Sequence, residues 1–216
     1  MSSMQNVHHR AFDSAVKGFN SSATNHDADP GSSLPSEPSA LVTVIGGNAF
    51  ATGAHADATG AVSNNVDDLG SATVASGFAV FEATGTSSHG QPAASADTFL
   101  SVAGADIVIE FEYDKNFHIG NTDVAVSELA YYAIDIDNWT PRNGPIVMDF
   151  KTHSTGAQAG GHDEYLPSHV TPSGNLASVV AVADAHGANS FASTLTHSLA
   201  VENHFSLVSG AAMVAA

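Results

Sequence analysis

Acidic side chains form the clearest group of residues that could do chemistry. Asp135, Asp137 and Asn138 stand together at the end of a strand-like segment, and Asp123 and Glu128 lie just upstream. Carboxylate and amide oxygens are the ligands that Ca²⁺ takes in proteins. These five residues are therefore candidate calcium ligands, and Ca²⁺ is the one cofactor that they suggest. Their spacing does not fit an EF-hand loop, and a solvated strand face or turn is the alternative interpretation.

Histidine provides a second candidate site. His162, Asp163, Glu164 and Tyr165 are consecutive in a glycine-rich segment, and the chain contains 12 His. Imidazole and carboxylate groups can hold a transition metal or haem iron. The sequence has no HExxH motif and no histidine pair at helical spacing, so it does not predict a zinc hydrolase. The cluster is an alternative metal or haem site, and surface histidines without a ligand are the competing interpretation.

Nucleophilic catalysis has little support in the sequence. The chain has no Cys, which excludes a cysteine nucleophile, a thiolate metal site and a disulfide scaffold. The strained GxSxG turn that presents a catalytic serine is also missing. We therefore expect that the protein is not an enzyme.

Composition limits the partners. The formal net charge is −17, with 22 acidic and only 5 basic residues among 216. Phosphate recognition depends on Lys and Arg, so nucleic acid and anionic lipid are not expected partners. No segment reaches the 18 consecutive apolar residues of a spanning helix, and membrane insertion is not expected. The length suits one domain, or one domain with a tail.

The elements that would position these residues are predicted to be strands. Strand-like segments bounded by Gly, Asn and Asp run along residues 41–47, 48–63, 71–88, 97–114, 127–139, 144–153, 176–187 and 190–210. In residues 97–114 the alternation is strict, with Ile107, Ile109, Phe111 and Tyr113 on one parity and Asp106, Val108, Glu110, Glu112 and Asp114 on the other. A strand with one buried face and one face in contact with water is typical of an antiparallel sheet. We expect residues 176–187 and 190–210 to form a hairpin, whose long second arm could break into two strands.

These patterns predict an all-β fold, an antiparallel β-sandwich or jelly roll with an extended N-terminal arm. Residues 41–210 form the sandwich domain. Residues 1–40 form the arm or linker, with a short helix suggested by Phe12, Val16 and Phe19. Three prolines and many Ser, Asp and Gly residues in 20–40 do not favour an independently ordered segment.

The last residues read LVSGAAMVAA, a small, apolar and uncharged run. With the absence of Cys and the acidic charge, this tail resembles the C-terminal signal of non-repeat bacterial type I secretion substrates, such as the haemophores, which leave through an ABC-transporter channel. The resemblance covers residues 196–216, which overlap the last strand, and the calcium-binding GGxGxD repeat of many such substrates is missing. It implies an extracellular or cell-surface location. The N-terminus has no apolar stretch typical of a secretory signal peptide.

Two functions follow as hypotheses. The first is a secreted structural protein that assembles with itself into a fibre, matrix or surface layer, with the N-terminal arm adding a strand to a neighbour. Strands rich in Ala and Gly bury little apolar area, so an isolated subunit should gain stability from assembly. The second is a secreted haem-, metal- or glycan-binding module that resembles the haemophores, with its ligand in residues 154–170.

Overall fold

The computed structural model describes residues 40–87, 91–139, 144–155 and 174–216. The predicted arm and its short helix, in residues 1–39, lie outside the described residues. The strands are β1 (Val42–Thr52), β2 (His55–Asp68), β3 (Ala72–Thr86), β4 (Ala93–Ala103), β5 (Ile107–Ile119), β6 (Thr122–Ile136), β7 (Ile146–Thr155), β8 (Leu176–His186), β9 (Phe191–Val201) and β10 (Phe205–Ala215). In these ranges no helix has the length and apolarity needed to cross a membrane.

The strands form two sheets that pack face to face, so the predicted all-β sandwich is confirmed. Sheet A has the order β4-β1-β10-β9 and is antiparallel throughout. Sheet B has the order β7-β5-β6-β3-β2-β8. Its central strands are antiparallel, but the edge strands β7 and β8 each run parallel to their neighbour, so sheet B is mixed.

Sheet A covers only part of sheet B. Strand β9 packs over β8, β10 over β2 and β8, β1 over β2 and β3, and β4 over β3 and β6. Strands β5 and β7 extend beyond the edge of sheet A. Sheet A therefore excludes water from the inner face of sheet B under β1 and β10, but it does not cover that face near β7.

Small side chains fill the contact between the sheets. Alanines of β2, β3 and β6 on one side face alanines and valines of β1 and β10 on the other, and most are fully buried. Phe81 is the largest apolar side chain at this contact, and its ring lies between Gly47 of sheet A and Gly60 of sheet B. A Cβ atom at either glycine would lie 2.5 Å from a ring carbon, so both positions require glycine.

A buried polar network joins the two sheets beside this apolar contact. The Asn64 side-chain amide donates to the carbonyl oxygens of Thr43, at 3.2 Å, and Ala212, at 3.0 Å. The Tyr131 hydroxyl lies 2.6 Å from Thr43 Oγ1 and within hydrogen-bond distance of Asn64 Oδ1. Burial raises the pKa of Tyr131, and these hydrogen bonds partly oppose that shift. Because a buried polar group needs its partners, the network fixes how the sheets face each other.

Three expectations about the strands were wrong. The predicted break between residues 47 and 48 is absent, because β1 continues through the Gly46–Gly47 pair to Thr52. Residues 97–114 do not form one strand, because the chain turns at Gly104, with φ of 83°, and passes from sheet A to sheet B. Strands β8 and β9 do not form a hairpin either, since they are edge strands of different sheets. The expected break in the long second arm does occur, between β9 and β10, where Asn203 has φ of 57°.

The orientation of β5 is the reverse of the expected one. The alternation predicts that Ile109 and Phe111 are buried and that Glu110 and Glu112 face water. Val108 is buried, which places the even-numbered residues of β5 on the inner face, and Phe111 on the outer face is 47% exposed. The reason is the overhang of sheet B: sheet A covers little of the inner face of β5, so its carboxylates keep partial access to water there.

The C-terminal segment is a central strand of sheet A. Strand β10 pairs with β1 on one side and β9 on the other, and Val208, Ala212 and Val214 are fully buried. Its small, apolar composition thus has a structural explanation in the close packing of the sheets.

We predict that Asn64→Ala lowers the free energy of unfolding by roughly 3 kcal/mol, because it leaves two buried carbonyl groups and a hydroxyl without their partner. Tyr131→Phe removes one hydroxyl and should cost only about 1 kcal/mol. Urea denaturation followed by circular dichroism measures both. Equal losses for the two variants would contradict a network centred on Asn64.

Candidate functional site

The five candidate calcium ligands lie on β6 and in the turn after it. Asp123 is near the start of β6 and Asp135 is near its end, so twelve residues of strand separate them by about 40 Å. Glu128 lies between them on the opposite parity and is exposed on the outer face. The structure therefore does not bring Asp123 or Glu128 to Asp135.

Asp135 instead has Asp106 as its acidic neighbour, which the sequence analysis did not select as a ligand. Asp106 Oδ2 accepts the backbone N–H of Ile136 at 2.9 Å, and its side chain hydrogen-bonds Asp135. Burial and then the charges of Asp106 and Asp137 raise the pKa of Asp135. Asn138 occupies the turn with φ of 62°. Within the described ranges no three His, Asp or Glu side chains converge to hold a metal, so calcium at this turn stays a prediction.

Asp123 forms an ion pair of its own at the far end of β6. Its Oδ1 contacts Nδ1 of His118. This hydrogen bond raises the pKa of the His118 imidazole. Because the histidine is exposed, the pair is a solvated surface contact.

The alternative metal or haem cluster, His162, Asp163, Glu164 and Tyr165, lies outside the described residues.

Lys151 of β7 organises the carboxylates on the inner face of the overhang. Its Nζ lies 2.5 Å from Glu112 Oε2 and 3.7 Å from Asp149 Oδ2. The hydrogen bond from Lys151 to Glu112 raises the pKa of Lys151. Burial raises the pKa of Glu110, and the Lys151 charge opposes that shift. Lys151 is more than half exposed whereas Glu112 is only 21% exposed, so the cluster lies between the covered part of the inner face and solvent.

Strand β9 is one of the two edge strands of sheet A in the described ranges. It reads FASTLTHSLAV and contains no charged residue and no proline. Ten of its eleven residues are exposed, and β10 is its only hydrogen-bonded neighbour in the described sheet. Natural edge strands usually carry a charge, a proline or a bulge that prevents pairing with another chain. Strand β9 has neither a charge nor a proline, so it can accept a further strand.

The outer face of sheet B carries a row of aromatic side chains in register. Phe78, Ala130, Phe111 and Phe150 lie side by side on β3, β6, β5 and β7. The rings of Phe111 and Phe150 stack with centroids 5.1 Å apart. A groove of about 350 Å³ opens along this row, with Ala130 at its floor and Glu128 at its margin. This surface was not predicted, because the alternation in β5 predicts that its apolar side is buried in the core.

No family model matches this chain, and no curated protein matches it in sequence.

We predict that Asp135→Asn raises the melting temperature at pH 7 by about 1–2 °C, because the group is partly solvated and its effect is screened. The sign follows from the raised pKa: the folded state binds the Asp135 proton more tightly, so the ionised carboxylate destabilises it above the folded pKa. The gain should disappear as the pH falls through that pKa. A constant difference from pH 3 to pH 7 would contradict this origin.

Thermal unfolding in millimolar Ca²⁺ tests the calcium hypothesis separately. An ion at Asp135, Asp137 and Asn138 should raise the melting temperature of the wild type. Most of that gain should be lost in Asp135→Asn and kept in Asp123→Asn, the distant control. The hypothesis fails if Ca²⁺ leaves the wild-type melting temperature unchanged.

Proposed function

We propose that this protein is a secreted structural subunit that assembles with copies of itself into an extracellular fibre, matrix or surface layer. The observation that carries the proposal is strand β9, an exposed, uncharged edge of eleven residues. Addition of a strand from another copy would satisfy the backbone groups along this edge. The N-terminal arm, residues 1–40, is the candidate donor.

The charge distribution supports association through this edge. At a net charge of −17, copies repel each other wherever their carboxylates meet. The opposite edge strand of sheet A, β4, carries Asp97, and the edge strand β7 of sheet B carries Asp149. Strand β9 has no such charge, so it is the edge at which repulsion is weakest.

The proposal includes export by a type I route. The position of the tail then determines when the transporter must recognise the chain. The tail that resembles a secretion signal, residues 196–216, includes most of β9 and the whole of β10. A transporter reads such a tail only while it is accessible. Recognition must therefore precede folding of the domain, because folding buries β10 between β1 and β9.

We predict that Thr196→Lys reduces polymer formation at least tenfold, because a lysine in the middle of an edge strand opposes the pairing of that strand with another chain. Leu69→Lys is the matched control, since Leu69 is 68% exposed in the turn between β2 and β3. Sedimented protein and negative-stain electron microscopy measure the polymer.

The proposal is wrong if the wild type forms no polymer at any concentration up to its solubility limit. The role of β9 is wrong if the Thr196→Lys and Leu69→Lys variants polymerise equally well.

A further inference from the structure

The outer face of sheet B contains a second surface that is unlike an ordinary solvated sheet face. We call it the platform: the outward-pointing residues of 74–80, 128–134, 107–113 and 146–152, which lie side by side on β3, β6, β5 and β7. Only Ser76, Glu128 and Thr152 among these side chains are neither aliphatic nor aromatic. Exposed apolar surfaces of this kind mark interaction sites.

The pattern of β5 indicates that the platform is built to be covered. Along β5 every apolar residue except Val108 points outward, and the carboxylates point to the inner face. Strand β7 repeats the arrangement, with Met148 and Phe150 outward and Asp149 and Lys151 inward. Two neighbouring strands thus place most of their apolar side chains on the outer face of sheet B.

The surface shape of one platform is complementary to the surface shape of a second platform. The groove between Phe78 and Phe111 has the small side chain of Ala130 as its floor. Two residues further along β6, Tyr132 is 55% exposed. A hole and a projecting ring therefore lie next to each other on one strand, about 7 Å apart.

We propose that the platform binds the platform of a second copy across a two-fold axis that crosses β6 between Ala130 and Tyr132. Rotation about this axis places Tyr132 of each copy over Ala130 of the other, so that both grooves are filled in the same way. The Tyr132 hydroxyl then reaches Glu128 of the other copy and donates to its carboxylate. This interface rests on the proposed function, because it joins subunits of the same assembly.

The area is sufficient for such an interface. Four strands and four rows of residues span about 19 Å by about 27 Å, or roughly 500 Å² on each copy. The total of about 1,000 Å² reaches the lower limit of specific protein interfaces. Glu128 is the one charged group inside the platform, so most of the charge repulsion between the copies comes from carboxylates outside the contact. Dimerisation should therefore strengthen as salt screens that repulsion.

Cross-linking tests the two-fold geometry directly, because the chain has no cysteine of its own. Met148 lies in the same row as Tyr132 but on the edge strand β7, where a reagent can reach it. In the proposed dimer the two copies of residue 148 lie about 12 Å apart, since the sheets pack about 10 Å apart. Met148→Cys should give covalent dimers with a bismaleimide of that reach. Ser101→Cys, exposed on the outer face of sheet A, is the control and should give few. The inference is overturned if the Met148→Cys variant yields no more dimer than this control.

Sedimentation equilibrium of the full chain carrying Thr196→Lys tests the central contact without interference from polymers. Adding Tyr132→Asp should weaken the dimer at least tenfold, because it places a carboxylate in the apolar groove beside Glu128. Tyr132→Phe keeps the ring and should cost only a few-fold, and Leu69→Asp, on another surface, should cost nothing. A dimer that tolerates Tyr132→Asp as well as Leu69→Asp overturns the inference.

The two proposals can fail separately. If Thr196→Lys does not reduce polymers but Tyr132→Asp separates dimers in solution, the role of β9 is wrong and the platform interface stands. If Thr196→Lys blocks polymers and the remaining protein is monomeric at high concentration and high salt, the role of β9 stands and the platform interface is wrong.

Discussion

The close approach of the two sheets around Phe81 is the contact on which the domain depends. The ring occupies the space between Gly47 and Gly60, and no Cβ atom fits at either position. Around it the facing strands carry mostly alanine, which permits this short separation. Each alanine buries little area, and at about 25 cal/mol per Å² a face of alanines contributes much less than one of Val and Ile. The hydrogen bonds of Asn64 and Tyr131 supply the specificity that interlocking large side chains provide in other sandwiches.

A core made of small residues leaves the bulky ones elsewhere. Phe111 and Phe150 lie on the outer face of sheet B, and Leu195 and Leu199 lie on the exposed edge strand β9. In a solitary domain these side chains would belong to the interior. For Phe111 and Phe150 this position follows from the topology, because β5 and β7 extend beyond sheet A and have no second sheet to pack against. The overhang of sheet B therefore creates one of the apolar surfaces on which the assembly proposals rest.

The sequence contained enough information for the strands but not for the choice of faces. Alternation with a period of two separates Ile109 and Phe111 from Glu110 and Glu112, and the structure keeps that separation. Which set points inward depends on whether a second sheet lies opposite, and the overhang of β5 beyond sheet A is a property of the whole topology. The contact between Asp106 and Asp135 was not predicted for a related reason. The alternation predicts one strand over residues 97–114, and this hides the turn that brings Asp106 to the end of β6. The β9 edge had a local signal, since a run of eleven β-forming residues without charge or proline is visible in the sequence itself.

The two proposed contacts extend the subunit in perpendicular directions with different symmetry. Strand addition at β9 continues sheet A in its own plane, and a donor from one copy paired with the edge of the next does not close, so growth is open-ended. Contact through the platform is normal to the sheets and is complete after two copies, because each platform is covered by the other. Open-ended strand addition at β9, combined with pairing of subunits through the platform, would give a filament that is two subunits thick. Such a filament buries both the uncharged edge and the apolar face, and it leaves the carboxylates outside the platform in water, where a charge of −17 per subunit opposes further thickening.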